Sequence, residues 1–529
     1  MKRLATSVLV GLATLGAAAQ ADPARPRLVV GIVVDQLRTD YIEYLQSYFG
    51  ERGFRTLLTD GVYMRDVDFR ASRLDAASAT AMLYTGAYPS ETGVPSGLIY
   101  DSSDPSGMLR LPLVSGAASS ITNDSFTPAP LRLSTIADEL VIDGGGSSQV
   151  YSVAMDPQQA VIMAGHAGKG AVWINNSSGN WATTSYYGPM PSVVSNRNFR
   201  NSLSQRIDTM VWRPSARLQL VPGLPEKKRQ NPFRHTFPRA DRDVYKKFVA
   251  SPLSNVEVTD AAIDILRDLN LGTSPGETDM LNVAYTVAPF KYVTDGVTRA
   301  ELTDSYLRLD GQLARLFDAV DRYVGAANSV IWLASTGYYD DAVAVEERYR
   351  LPGGEFSARR ARSLLNSYLS ARFGQAGYVS AIRDGQIYFD RHAIETMRLD
   401  PEAVIGDARS FLVKMSGVAD AFTIDDILSP SDEDQRALRK SLDPRSCGDI
   451  IVRFTPGWSV VYDEQTPPVT KQIRESAVMT PAFLKAPGLK PQVITSGIDA
   501  TALAPTLAGV IRIRAPNGAA SRAVPVEAR

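Results

Sequence analysis

An apolar run near the amino terminus, from Leu28 to Val34, constrains the fold more than any other feature of this sequence. Its residues are mostly β-branched and do not alternate with polar ones, which is typical of a strand buried on both faces of a parallel sheet. Asp35 follows the run directly, and open α/β sheets place their chemistry at the carboxyl ends of strands. The run therefore predicts an interior parallel strand with Asp35 at the functional edge of the sheet.

Apolar runs alternate with helical patterns along most of the chain. Further buried strands are predicted at Val150 to Ala154, Met280 to Thr286 and Val330 to Ala334. The clearest amphipathic helix is predicted at Glu301 to Val324, where apolar residues form one stripe. This alternation favours an α/β fold with a doubly wound, mostly parallel central sheet and helices on both faces.

Two segments interrupt the α/β pattern. The first, at about residues 187–260, contains a stretch rich in proline and basic residues from Pro222 to Arg242. It is predicted to form a cap, with a solvated surface connection as the alternative. The second, from Leu351 to Leu442, combines helical patterns with a hairpin signal at Asp384-Gly385, which predicts an α+β insertion.

The core is accordingly predicted in two parts, residues 27–345 and residues 446–520, with the chain returning to the core near Asp449. The mature chain of roughly 500 residues is longer than a usual single domain, as this arrangement requires.

The first 21 residues have the features of a secretory signal peptide. Lys2 and Arg3 precede an apolar segment, and Ala19-Gln-Ala21 fits a small-x-small cleavage site. The apolar segment is too short for a membrane span, and no later run reaches about 18 apolar residues. We therefore expect a periplasmic or secreted protein that is not an integral membrane protein.

Charge and cysteine content exclude further classes. The formal net charge is −1, and it becomes −3 without Lys2 and Arg3, so nothing favours binding to nucleic acid. Cys447 is the only cysteine, which excludes a fold held together by intrachain disulfides.

Several segments of the mature chain carry a resemblance to a known family. They are VVGIVVDQLRTDYIEYL, YTGAYPSETGVPSG, SVAMDPQQAVIMAGHAGKG, ETDMLNVAY and IDATALAPTLAGVIRIRAPNG, in this order. Together they resemble the alkaline phosphatase superfamily, and especially its type I phosphodiesterase/nucleotide pyrophosphatase-related members, which hold two zinc ions. The resemblance implies an alkaline-phosphatase-like fold, but activity depends on the site rather than on the fold.

The resemblance assigns positions to the family's reactive residues. The nucleophile position, nine residues before Thr85, is Ala76, whose methyl group cannot attack phosphorus. The phosphate-binding asparagine corresponds to Gly97, and the two cations that clamp phosphate correspond to Asp156 and Gln158. A carboxylate in place of a cation reverses the local electrostatics. We therefore expect no catalytic and no phosphate-binding residues among these positions.

The family's metal ligands are replaced as well. The corresponding positions are Pro289, Val293, Thr336, Gly337 and a position near Thr470. None offers the usual nitrogen, sulfur or carboxylate ligand of zinc. Asp35 alone corresponds to a ligand, and it is either a vestigial metal ligand or a residue that now caps a helix or pairs with a neighbour.

Other residues with reactive side chains have both functional and structural interpretations. Ser78 and Thr80 are substitute nucleophiles or plain helix hydroxyls, and Asp75 is expected to cap a helix from Ala76 to Leu83. Asp340 and Asp341 are displaced metal ligands or part of a solvated loop. Structural roles are favoured for the remaining candidates, which are His166, His235, His392 and Cys447.

Two functions follow from these residues. The first is a pseudophosphatase that needs no cofactor and binds an unknown protein partner in the cell envelope. The insertion and the basic residues of the cap are the candidate contact surfaces; the latter are Lys227, Lys228, Arg229, Arg234 and Arg239. The alternative is an active metal-dependent phosphomonoesterase or phosphodiesterase that uses zinc bound by Asp35 with Asp340 and Asp341.

Overall fold

The computed structural model describes residues 25–101, 109–110, 122–222, 233–292, 299–340, 353–463, 469–473 and 478–529. The predicted signal peptide, Lys227, Lys228, Arg229, Val293 and Asp341 therefore lie outside the described residues. None of the helices in these ranges is both long enough and apolar enough to cross a membrane.

The strands follow in chain order. They are β1 (Leu28–Asp35), β2 (Val62–Met64), β3 (Val67–Asp68), β4 (Ile99–Tyr100), β5 (Leu109–Arg110), β6 (Val150–Val153), β7 (Gly170–Ile174), β8 (Trp181–Ala182), β9 (Val211–Trp212), β10 (His235–Thr236), β11 (Asp279–Thr286), β12 (Ser329–Ser335), β13 (Glu355–Ser357), β14 (Val379–Arg383), β15 (Gln386–Phe389), β16 (Val418–Thr423), β17 (Ile450–Phe454), β18 (Ser459–Tyr462), β19 (Val469–Gln472), β20 (Ala482–Lys485), β21 (Gln492–Ile494) and β22 (Ile498–Asp499).

The α-helices follow in the same way. They are α1 (Thr39–Leu45), α2 (Phe54–Asp60), α3 (Ala76–Thr85), α4 (Pro89–Thr92), α5 (Ile136–Asp143), α6 (Pro157–Ala164), α7 (Ser192–Arg200), α8 (Leu203–Arg206), α9 (Val244–Val249), α10 (Ser254–Asp268), α11 (Arg299–Tyr323), α12 (Ala358–Phe373), α13 (Arg391–Thr396), α14 (Pro401–Leu412), α15 (Ile424–Leu428), α16 (Glu433–Ser441) and α17 (Leu503–Ile511).

The main sheet has the order β21-β2-β20-β12-β1-β11-β6-β7-β8 among the described residues. Strand β1 lies in its interior and pairs in parallel with β11 and β12, with Asp35 opposite Thr286 at the carboxyl edge. The only antiparallel pairs recorded within this sheet involve β20 and β8. The predicted α/β fold, with a mostly parallel central sheet, is confirmed.

Helices cover both faces of the sheet. Val30 and Ile32 of β1 pack into one apolar cluster with α10 and α11, whereas Val29 and Val33 pack into another with α3, α6 and α17. Gly31, between these residues, has no side chain, and a Cβ there would lie only 2.4 Å from Asn282 Oδ1. The absence of a side chain makes room for the buried hydrogen bond from the Tyr84 hydroxyl to Asn282.

The predicted cap packs against the core. Trp212, Phe237 and Phe248 are buried in the same cluster as Val30 of β1. The cap segment therefore covers one face of the sheet with short helices, in addition to the long helix α10.

The insertion extends further than the sequence pattern indicated. Strand β17 pairs with β15 and β16, and β18 pairs with β13 and β19, so both strands belong to the insertion. The chain returns to the main sheet at β20. The predicted boundaries at 442 and 446, and the return near Asp449, are wrong, because an apolar run such as Ile450–Phe454 does not specify which sheet it joins.

Candidate functional site

A cleft of about 1210 Å³ lies between the carboxyl edge of the main sheet and the insertion. Its core wall comes from the first residues of α3 and α6 and from the loop that follows β12. Its opposite wall comes from the insertion, including the β14–β15 turn and strands β17 and β19. None of the described residues between 187 and 260 lines this cleft, so they form no lid over it.

Asp75 organises the start of α3 on the core wall. Its Oδ1 accepts hydrogen bonds from the backbone N–H and the hydroxyl of Ser78, both at 2.9 Å. Its Oδ2 accepts from the Ser96 hydroxyl at 2.7 Å and from the Gly97 N–H at 2.6 Å. The predicted helix cap is therefore present, and it leaves the methyl group of Ala76 as the first helical side chain at the cleft.

Ser78 and Thr80, the suggested substitute nucleophiles, are fully buried. The Ser78 hydroxyl belongs to the cap of α3. The Thr80 hydroxyl donates to the carbonyl of Ala76 at 2.6 Å and accepts from Gln159 at 3.1 Å. Both hydroxyls act within the helix, and neither lines the cleft.

The positions expected to contact phosphate contact one another. Asp156 caps α6 by accepting from the Gln158 N–H at 2.6 Å, and burial together with the charge of Asp75 raises the pKa of Asp156. Gln158 Nε2 donates to the Gly97 carbonyl at 3.1 Å. A Cβ at position 97 would lie only 3.1 Å from that Nε2. These groups form a wall of acceptors and carboxylates instead of a cationic clamp.

Asp35 pairs with neighbours rather than capping a helix, since the cap position of α1 is Arg38. Its Oδ1 accepts from the Thr336 hydroxyl at 3.0 Å, and the Tyr338 hydroxyl also donates to this carboxylate. Burial raises the pKa of Asp35 to about 6; the two hydroxyls oppose this shift and the charge of Asp340 adds to it. The carboxylate therefore retains its proton at a higher pH than an exposed aspartate does.

Gln36 attaches the loop after β12 to the end of β1. This residue is buried and has a φ of 60°, a conformation that is uncommon for a residue other than glycine. Its N–H donates to Thr336 Oγ1 at 2.9 Å, and its Oε1 accepts from the Asp340 N–H at 2.9 Å. Asp340 forms an ion pair with Lys291 at 2.8 Å. These hydrogen bonds join the end of β1 to the loop after β12, although the two segments lie far apart in the sequence.

The residues at the predicted metal-ligand positions do not fit a two-zinc centre. Pro289 is buried without a ligand atom in its side chain, Thr336 is engaged with Asp35, and Thr470 is exposed on β19. At Gly337, φ is 74° and a Cβ would lie 2.0 Å from the Phe69 ring, so no larger side chain fits this backbone. Across the described ranges, no group of three or more His, Cys, Asp or Glu residues is arranged to hold a metal ion.

The histidines lie outside the cleft. His166 is held by Asp138 at 3.1 Å, a contact that raises its pKa. His235 pairs with the buried Glu301 among the rings of Trp212, Phe233 and Phe290, while His392 is exposed on α13.

Cys447 does line the cleft, and burial raises the pKa of its thiol to about 12, so it is not an activated nucleophile. Of the basic cap residues, Arg234 is exposed. Arg239 binds Asp208 and the carbonyl of Ser204.

Sequence reasoning missed the aromatic character of the cleft. Tyr338 and Tyr339 follow β12, whereas Tyr100 and Tyr388 come from separate strands and bring their rings within 4.4 Å of each other. The paired tyrosines in STGYYDD were the only available signal, because the other two rings meet through tertiary contacts.

The sequence from residue 29 to residue 479 matches the type I phosphodiesterase / nucleotide pyrophosphatase family. The chain belongs to this family. Alkaline phosphatase PafA of Elizabethkingia meningoseptica is 25% identical over 99% of this chain and 98% of that protein. A protein named calcium-transporting ATPase, of Myroides odoratus, is 25% identical over 93% of each chain.

The crystal structure of wild-type PafA has the same fold. It superposes with a TM-score of 0.80 over 94% of this chain and 98% of its own, at 23% identity. The predicted superfamily and its alkaline-phosphatase-like fold are therefore confirmed. The two relatives are named as an alkaline phosphatase and as a calcium-transporting ATPase, and both names denote hydrolases.

Proposed function

We propose that this chain is a non-hydrolytic member of the family that binds a ligand in its cleft and acts as an exported binding or scaffold component of the cell envelope. The observation that carries the proposal is the start of α3, where the nucleophile position presents the methyl group of Ala76 to the cleft. A methyl group forms no covalent intermediate with phosphorus.

The electrostatics of the core wall support the same proposal. Asp156 and Gln158 occupy the positions of the phosphate clamp, and Asp75 lies close enough to Asp156 to raise the pKa of that carboxyl. Carboxylates there repel a phosphate dianion, and they destabilise the additional negative charge of a phosphoryl-transfer transition state. Gly337 supports it further, because Phe69 occupies the space that a ligand side chain at this position would need.

A second candidate, a zinc-dependent phosphoric ester hydrolase, is favoured by the names of the relatives. In this candidate Asp35 would bind zinc together with Asp340 and Asp341. Asp340 lies near enough to Asp35 to contribute to its raised pKa. The ion pair of Asp340 with Lys291 and the hydrogen bonds of Asp35 would then have to be broken.

Hydrolysis of p-nitrophenyl phosphate and bis-p-nitrophenyl phosphate, in buffer supplied with zinc, separates the two candidates. PafA serves as the active reference. We expect rates at the level of buffer alone, because nucleophile and clamp are both replaced, and well under one zinc ion per chain after dialysis.

The variants Asp35→Ala and Asp60→Ala provide the decisive control. Asp60 is an exposed residue at the end of α2 and lies outside the cleft lining. A hydrolytic rate that Asp35→Ala abolishes and Asp60→Ala preserves would establish the second candidate and refute the first.

A further inference from the structure

We infer that the cleft takes a small organic cation, a ligand that carries protonated amines on an apolar spacer. This inference rests on the proposed function, because it assigns a ligand class to a cleft that performs no hydrolysis. Three features carry it: uncompensated carboxylates, an unsatisfied buried acceptor and aromatic faces, all of them on the lining of one cavity.

The carboxylates of the core wall are held mainly by uncharged donors. The hydrogen bonds recorded for Asp75 and Asp156 come from backbone N–H groups and serine hydroxyls. Asp340 forms an ion pair with Lys291, and its charge also acts on Lys471. Burial and the charge of Asp75 raise the pKa of Asp156. A ligand cation would relieve this repulsion.

The cations of the insertion wall, together with Arg73 in the loop before α3, are engaged by groups of the insertion. Lys471 binds Asp384 at 2.6 Å, and Arg453 binds Asp434 at 2.5 Å. Arg73 donates to the carbonyls of Asp384 and Val452. Arg383 donates to the carbonyl of Ile382 at 3.3 Å. Among the described residues, Arg73, Arg453 and Lys471 form no ion pair with the carboxylates that cap α3 and α6. Lys471 does lie near enough to Asp340 for that charge to help raise the pKa of the lysine against its burial.

Gln158 supplies the independent observation. Its side chain lines the cleft, yet the residue is only 5% exposed. Its Nε2 is bonded to Gly97, whereas its Oε1 accepts no hydrogen bond from any described residue. An unsatisfied buried acceptor costs about 1–3 kcal/mol. A protonated amine has three donors and no acceptor, so it suits a wall that offers carboxylates and an amide carbonyl.

Tyrosine rings supply the surface for the spacer and for the charge. The rings of Tyr100 and Tyr388 meet at 4.4 Å, and Tyr338, Tyr339 and Tyr462 also line the cleft. Tyr339 forms a cation–π contact within the protein, since the Arg38 guanidinium lies 4.6 Å from its ring centroid. A cation over such a ring gains about 0.5–2 kcal/mol, depending on desolvation. The cavity, of about 1210 Å³, has room for a ligand of many atoms.

Calorimetric titration of the mature full-length chain with spermidine, at about 0.15 M salt, tests this inference, and sodium phosphate and calcium chloride serve as comparison titrants. We expect saturable binding of spermidine and none of phosphate or calcium. The variant Asp156→Asn keeps the helix cap, since asparagine caps as well as aspartate. It should weaken spermidine binding at least about tenfold, and Asp340→Asn about threefold.

Asp400→Asn is the matched control. Asp400 caps α14 and precedes Pro401, just as Asp156 caps α6 and precedes Pro157, but Asp400 is exposed and distant from the cleft lining. Its substitution should leave spermidine binding unchanged. If Asp400→Asn weakened spermidine binding as much as Asp156→Asn does, the binding would reflect general attraction to acidic surface residues, and the inference would be overturned.

The outcomes separate this inference from the proposed function. Saturable phosphate binding, or spermidine binding that neither cleft variant changes, refutes the organic-cation site. Hydrolysis in the ester assay refutes the proposed function whatever the titrations show. If the chain neither hydrolyses esters nor binds spermidine, only the ligand class assigned here is wrong.

Discussion

The two walls of the cleft stabilise their carboxylates with different kinds of partner. On the insertion wall, Asp384 pairs with Lys471 and Asp434 pairs with Arg453. The pKa of Asp384 is lowered because the charges of Lys471 and Arg73 outweigh its burial. On the core side, Asp35, Asp75 and Asp156 are held by hydroxyl and N–H donors, and burial raises the pKa of Asp35.

This difference shows which wall is suited to a ligand. Ion pairs complete the insertion wall from within the protein, whereas the core wall retains unmatched negative charge at the edge of the sheet. The fold of the family is preserved around that edge, and the ligand that we propose for it is a cation instead of a phosphate. Each of the following predictions tests one part of this contrast.

The largest effect is expected from Gly337→Ala. A Cβ there would lie 2.0 Å from the Phe69 ring, and the φ of 74° is itself unfavourable for alanine. We expect a loss of roughly 3 kcal/mol in the free energy of unfolding, from overpacking and backbone strain together. Urea denaturation would measure it.

Gly276→Ala isolates the packing contribution. Gly276 has a similar φ of 84°, but no atom lies within 4 Å of a Cβ at that position. It should cost only the strain, about 1 kcal/mol. An equal loss of unfolding free energy in the two variants would mean that the Phe69 ring moves aside and that position 337 can accept a side chain.

A pH-dependent effect is expected at Asp35. Its pKa is about 6 in the folded protein and 3.8 ordinarily, so the folded state binds the proton more tightly. Stability should therefore fall by at most about 3 kcal/mol as the pH rises from about 4 to about 6, and it should change little above pH 6. Denaturation of the wild type and of Asp35→Asn across this range would measure the difference.

Asp384 on the insertion wall should show the opposite sign. Its lowered pKa means that its contribution is present above the ordinary pKa of aspartate and is lost as the pH falls through the folded value. The difference between the wild type and Asp384→Asn should therefore shrink on acidification. Parallel pH profiles for the two aspartates would remove the contrast between the walls.

The smallest effects are expected from the helix caps. Asp75→Ala removes an acceptor for Ser78, Ser96 and Gly97, whereas Asp432→Ala in the insertion removes the cap of α16 alone. We expect losses of about 2 and about 1 kcal/mol in the free energy of unfolding, respectively. Thermal denaturation would rank them, and the reverse order would contradict the central place given to Asp75.

Local patterns were sufficient for much of the fold. The apolar run that forms β1, the stripe of α11 and the hairpin at Asp384-Gly385 all carry periodicity or turn chemistry within a few residues. The cap at Asp75 was predictable for the same reason, since it depends on donors in the next turn. The boundary of the insertion was not, because strand pairing depends on partners that are distant in the sequence.

The sequence by itself determined the α/β class, several core strands and helices, and the family, and it predicted Ala76 at the nucleophile position, because these depend on residue identity and short-range periodicity. Only the tertiary structure decided that Thr336 holds Asp35, that Phe69 fills the space at Gly337 and that Tyr100 meets Tyr388. All three contacts join residues hundreds of positions apart, and they depend on packing in three dimensions, which no local pattern encodes.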